Sequence, residues 1–399
     1  MKRLFFVFLI VTVTLTCFSC GSKFPETSEF ECEFDKENKT ATITKYNGKE
    51  TKVTIPEAFE EYTVTEIGRN AFKENYDISE VIFPETLKRI GQSAFELCIS
   101  LNEVKFPESL ETIGNTAFAN CRGLKTASIS SNINTIGICA FTGCTSLENI
   151  SVDKNNQNFI ADEGVLFTKD YKELIQYSLG KTKESYEIPK NVTSIASYAF
   201  EKAQHLEKVT CPETLKTVGS YAFQASSVKE ISFKNGLQEL GNFAFNESNL
   251  TSVELGNSIK KIGESAFAWC TNLESIYFPE TVETLGISAF FMCTSISEFT
   301  VKDNNKYFTS DARGVLFNKD KTKLLYYPIA NTATEYSIPN TVTEISENAF
   351  SPCLKLTKVT IPDSVETIGE KAFAQCANLT DVVYEGTKPQ NIAENAFEK

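Results

Sequence analysis

The sequence predicts a β-rich solenoid with coils of about 23 residues, and three observations carry that prediction. An Ala-Phe pair recurs, closing at Phe72, Phe95, Phe118, Phe141, Phe200, Phe223, Phe245, Phe267, Phe290, Phe350, Phe373 and Phe397. Most steps are 22 to 24 residues and two are about 60, and a fixed period in the twenties marks stacked repeats. Within a unit, stretches such as "LNEVKFP" (Leu101 to Pro107) alternate apolar and polar, the pattern of a half-buried strand. Phe is abundant, at 31 residues, against a single Trp, as an interior aromatic spine requires.

The chain opens with "MKRLFFVFLIVTVTLTCFSCGS": a basic start, an apolar run too short to span a bilayer, then small residues. Residues 1–20 read as a signal peptide. The Ser19-Cys20-Gly21 end resembles a bacterial lipoprotein processing site, which implies lipidation of Cys20. Cleavage before Cys17 and plain secretion are the alternatives. Residues 21–31 read as a tether. Residues 32–62 read as an N-terminal capping hairpin turning at Asn47-Gly48, a strong turn dipeptide. Such a hairpin would shield the first coil, since terminal repeats need caps.

The solenoid is expected over 63–399. In the unit quoted, Pro107 stops the short strand, because it cannot donate to a ladder. "TIG" then re-enters the core, with Gly allowing a tight bend. "SAFELC" is expected to form a short helical or 3₁₀ turn on the other side. Two insertions, about 153–187 and 302–337, align on Gly164 and Gly314. Their "GVLFTKD/LIQY" and "GVLFNKD/LLYY" segments read as hairpins. The last residues read as an irregular C-terminal cap.

Cysteine stands third after the Ala-Phe pair at Cys98, Cys121, Cys144, Cys270, Cys293, Cys353 and Cys376, and other units place Asn75, Ala203, Ser226 or Ser248 there. A metal ligand or disulfide partner would not exchange so freely. A free Cys acts as a small buried hydrophobe with a weak donor, so the cysteines read as architecture. The lack of paired CxxC or HxxxH spacing agrees, and no metal is expected.

The unit "IPxxVxxIGxxAFxxCxxLxxV" resembles the BspA-type leucine-rich repeat of bacterial surface proteins, over about residues 40 to 397. The resemblance implies a curved solenoid with strands on the concave face. It also implies export to the bacterial cell surface or outer membrane, and adhesion to host matrix proteins, other bacterial surface proteins or glycans.

Composition excludes other classes. The net charge is −13 and no Lys/Arg cluster tracks a phosphate backbone, so nucleic acid is not an expected partner. Membrane contact is expected only through the lipid anchor. No phosphate-binding glycine loop occurs, and carboxylate pairs repeat in every unit, whereas catalysis needs one special place. The one His, His205, has no nucleophile at a fixed spacing. The chain is therefore read as a non-enzyme without a cofactor. Asp162 and Asp311, with Asn156 and Asn305, read as turn formers, because their spacing fits no calcium loop. Trp269, in "AFAWC", reads as packing beside the ladder.

The outward strand positions form two rows. The third position of "LxxVxF" includes Lys208, Glu230 and Glu298, and the fifth includes Ser232, Glu254, Tyr277 and Thr300. Tyr277 is the one aromatic in these rows. The candidate ligand-binding set is therefore Tyr277, Glu254, Lys208, Glu230, Ser232 and Thr300. A glycan-binding or nutrient-capture lipoprotein and a structural envelope component are the competing readings.

Overall fold

The structure, a computed structural model, describes residues 29–398. The expected coil is present and has three sides. On the first, strands of three or four residues pair in parallel: Glu103–Lys105 with Thr126–Ile129, and Thr126–Ile129 with Asn149–Val152. On the second, two-residue strands stack with Ile67, Ile90, Ile113 and Ile136 in one register, steps of 23 residues. The third side consists of turns.

No helix occurs among the described residues, so the expected helical or 3₁₀ turn is replaced by something else. In the coil containing Phe95, the N–H groups of Ser93, Phe95 and Leu97 donate to Asn115, Ala117 and Ala119 of the next coil at 2.7–2.9 Å. The intervening N–H groups of Ala94, Glu96 and Cys98 close turns onto the carbonyls three residues back. Ser93 and Leu97 have φ of 54° and 64°. These left-handed residues aim alternate peptide units along the solenoid axis, so the backbone bonds to its neighbour coil where a helix would bond to itself. The turn side is thus a third ladder, and it satisfies backbone groups that burial would otherwise orphan.

Between the three ladders runs the aromatic spine. Phe95 stacks on Phe118 with ring centroids 5.1 Å apart and planes within 3°, and Phe223 on Phe245 at 4.9 Å and 2°. Each ring is buried, which stabilises by about 1.5–3 kcal/mol.

The glycine of "TIG" is required for a reason other than a bend. A Cβ on Gly114 would lie 2.7 Å from the backbone of Gly91 and Gln92, and one on Gly219 would lie 2.5 Å from Ser197 N. Neither glycine is left-handed; it is coil-to-coil contact that excludes a side chain. Ala196 and Ser346 replace this glycine in the two coils that follow the insertions, where the preceding coil has a different path.

Each insertion is a three-strand meander built into the short-strand ladder. Phe159–Asp162, Val165–Thr168 and Glu173–Gln176 pair antiparallel, and Glu173–Gln176 then pairs in parallel with Ser194–Ile195. Phe308–Ser310, Leu316–Asn318 and Lys323–Tyr326 repeat this, joining Glu344–Ile345. Tyr177 and Tyr327 follow and occupy the spine, each stacked 5.0 Å from the next Phe, Phe200 and Phe350. On the turn side the flanking coils meet directly, Thr142 donating to Glu201 at 2.6 Å and Asn348 to Ser288 at 3.3 Å. The inserted coil is therefore shorter there. The apolar interior divides at these places into three blocks.

At the N-terminal end the hairpin is formed by Phe30–Asp35 and Thr40–Tyr46, turning within 36–39. The Asn47-Gly48 pair does not make a hairpin. It leads from Thr40–Tyr46, which pairs with Tyr62–Ile67, to Lys52–Thr54, which pairs with Glu80–Ile82 on another side. The dipeptide turns a corner of the coil. At the other end Asn391–Ile392 pairs with Thr367–Ile368, and Phe397 stacks on Phe373 at 4.9 Å. These residues continue the ladders as a further coil, where the sequence suggested an irregular cap.

Candidate interaction surface

The long-strand side carries the predicted rows. Alternation along each strand turns Val209, Ile231 and Ile276 inward and leaves the flanking residues in solvent. The third position aligns Lys208, Glu230 and Ser252 across consecutive coils, and the fifth aligns Thr210, Ser232 and Glu254. The next ladder aligns Ser275 with Glu298 and Tyr277 with Thr300. Lys208, Glu230, Ser232 and Glu254 thus share one ladder, while Tyr277 and Thr300 lie on the following one, in the next coils of the same side.

Within the first group the charges are already engaged. Lys208 Nζ lies 2.9 Å from Glu230 Oε2, and Ser232 Oγ donates to Glu254 Oε2 at 2.5 Å. The hydrogen bond to Glu230 holds Lys208 above its ordinary pKa and holds Glu230 below its own. Both side chains lie on the surface, more than half exposed, so the pair contributes little to stability. Tyr277 differs: it is 47 % exposed and has no stacking partner among the described rings. Its partner in the next coil is Thr300.

The interior polar residues are structural. Asn156 and Asn305 are fully buried. The Nδ2 of Asn156 donates to Ser130 O and Ile133 O, and its Oδ1 accepts from Asn158 and Phe159 N–H, all at 2.8–2.9 Å. Asn305 repeats the set with Pro279, Val282, Tyr307 and Phe308. Asp311 accepts from Arg313 and Val315 N–H and from the Tyr336 hydroxyl. Among the described residues no group of three or more His, Cys, Asp or Glu is placed to hold a metal ion.

The ten cysteines among the described residues are free thiols. Cys98, Cys121, Cys144, Cys270, Cys293 and Cys376 each donate to a Phe carbonyl of the preceding coil at 3.0–3.3 Å. Burial pushes the Cys270 and Cys376 thiols up to about 12. Ser248 fills the same place and lies 3.3 Å from Cys270 Sγ.

Trp269 lies on the turn side, where it packs edge-on against Phe291 at 6.0 Å and keeps 45 % of its surface exposed. Tyr177, Tyr326 and Tyr327, at the ends of the insertion hairpins, are interior. Sequence reasoning also missed a second stack, Tyr198 on Tyr221 and Tyr221 on Phe243, each at 4.8 Å. Its signal was an aromatic directly before Ala-Phe in three successive units. His205 is exposed. Cys20 lies outside the described residues, as do all of residues 1–20, read above as a signal peptide, and most of 21–31, read as a tether. No helix among the described residues is long and apolar enough to cross a membrane.

The chain belongs to the BspA type leucine rich repeat region family, which matches in 6 copies over residues 65–164, 177–237, 193–313 and 326–399. Among solved structures, a leucine-rich repeat protein from Eubacterium ventriosum is 20% identical, with a TM-score of 0.52, covering 90% of each chain. One from Bacteroides ovatus is 23% identical, with a TM-score of 0.50, covering 92% of this chain and 98% of that one. The pneumococcal vaccine antigen PcpA is 19% identical, with a TM-score of 0.53, covering 90% and 97%. At these identities the likeness establishes the fold. No curated protein sequence matches the chain.

Proposed function

We propose that the protein is an exported, lipid-anchored component of the bacterial cell surface that binds macromolecules and does no chemistry. The ligand is a host matrix protein or another bacterial surface protein, engaged through the long-strand side. The observation that carries this reading is a continuous polar strand surface with one half-exposed aromatic, Tyr277, in its central part. Interfaces concentrate their energy in a few residues, among which Tyr is enriched, and repeat proteins use such extended surfaces for binding.

A glycan-capture reading calls for clustered aromatics in a confined pocket. The open groove along the short-strand side is lined by Glu173, Ser194, Ser197, Thr217, Ser220 and Glu239 and contains no aromatic ring. This groove therefore does not supply such a pocket. The test is a binding screen of the mature chain against matrix proteins, bacterial surface proteins and glycans. Saturable binding to a protein supports the reading, and binding to glycans alone contradicts it.

A further inference from the structure

Trp269 is the only tryptophan in the chain, and it stands on the turn side, away from Tyr277. The axial hydrogen bonds define its neighbours. Glu247 N–H donates to Ala268 O at 2.9 Å, and Trp269 N–H donates to Phe291 O at 2.7 Å. Glu247, Trp269 and Met292 therefore occupy equivalent places in three successive coils, with φ of 60°, 64° and 61°. The same left-handed place holds Leu97, Asn120, Lys202 and Ala225 elsewhere, so the backbone requires no aromatic there. The neighbouring Tyr198, Tyr221 and Phe243 cover one another by stacking. Trp269 has no such cover: it is 45 % exposed and its Phe291 neighbour stands at 88°. Glu247 is exposed and forms no ion pair among the described residues.

We propose that Trp269 and Glu247 form a second docking point, on the turn side, for a guanidinium or ammonium group of a basic protein segment. An indole face attracts a cation through its quadrupole, and Trp does so best. The carboxylate one coil away supplies the ion pair, and the Met292 thioether offers apolar surface to the stem of an Arg or Lys side chain. The net charge of −13 favours encounter with such a partner. A neutral sugar on the ring would donate hydroxyls to the carboxylate without pairing charge, so its binding would hardly depend on salt, whereas that of a cation would weaken as salt rises, and the two ligand classes are separable.

The lone indole is its own reporter. An oligoarginine peptide titrated into the full chain at low salt should change the Trp269 emission saturably. Glu247→Gln should weaken the affinity about tenfold, within the range for a cation held by ring and carboxylate together. Glu366→Gln, at an exposed carboxylate far along the solenoid, should leave the titration unchanged. By calorimetry, Trp269→Ala should lose the same binding while Trp269→Tyr keeps most of it, with thermal midpoints equal to the parent's. The proposal is overturned if the emission does not respond, or if Glu247→Gln and Glu366→Gln behave alike. It is equally overturned if a neutral oligosaccharide produces the response and the peptide does not.

Discussion

The thiol of Cys121 donates to the carbonyl oxygen of Phe95 at 3.0 Å, and that same oxygen accepts the N–H of Cys98 at 3.1 Å. One acceptor thus closes a turn in its own coil and ties down the next coil. This explains why Cys, Ser or Ala can stand at the position: the turn bond is made by backbone, and the side chain adds a weak second bond in a small buried space. The ladder thiols should resist alkylation in the native protein and react once it is denatured, and reducing agent should leave the melting temperature unchanged. Unfolding on reduction would contradict this.

The thiols also predict a pH dependence. Burial raises Cys270 and Cys376 from the ordinary 9.0 to about 12. The folded state therefore keeps protons that the unfolded state releases. Their contribution is complete below about pH 9 and is lost as pH rises towards about 12. Urea midpoints should fall over that window, and Cys270→Ala and Cys376→Ala should each flatten the fall. A slope that neither variant changes would show that the thiols do not carry it.

Asn156 and Asn305 each satisfy four hydrogen-bonding positions inside the coil. Replacing either by Ala leaves buried backbone groups unpaired, each costing about 1–3 kcal/mol. Asn156→Ala and Asn305→Ala should each destabilise by about 2–5 kcal/mol in urea titrations. Calcium should not alter either midpoint, and a calcium-dependent shift would contradict the purely structural role.

Gly114→Ala should destabilise by about 1–3 kcal/mol, the usual cost of overpacking, because its new Cβ meets backbone 2.7 Å away. Ala196→Gly changes a coil that already accepts a Cβ and should cost about 1 kcal/mol or less. Comparable losses from both would mean that contact with the preceding coil is not what selects glycine.

Replacing Cys20 by Ser should release the protein from the membrane fraction and abolish acyl labelling. Persistent labelling would move the processing site to Cys17, and an unlabelled parent would contradict lipid anchoring.

The period of the coil was legible because the spine is strict: Phe stands at one place in nearly every unit, and only interior stacking demands that. The thiol role was legible from its exchange with Ser248. The turn ladder was not, because it is a backbone device; left-handed residues as different as Ser93, Tyr198, Trp269 and Lys371 leave no common side-chain signature. The interior place of Tyr177 and Tyr327 was not legible, because the insertions break the period, and with it the register that identifies interior positions. The Asn47-Gly48 turn was assigned to a hairpin because the dipeptide specifies a reversal and does not specify which strands it joins. The candidate strand rows followed from two-residue alternation, but the pairing of Lys208 with Glu230 depended on coil register, which local sequence does not contain.

The central claim is that a protein ligand is held on the long-strand side at Tyr277. The most direct measurement is the affinity of that ligand for Tyr277→Ala, beside chains lacking the hairpin tips at Lys169-Asp170 or Lys319-Asp320. Tyr277→Ala should weaken binding by about 1–2 kcal/mol, the size of a modest hot spot, with the thermal midpoint unchanged because the ring is half-exposed. The tip deletions should matter less. Loss of binding at the tips with Tyr277→Ala unaffected would contradict the account and move the site off the strand side.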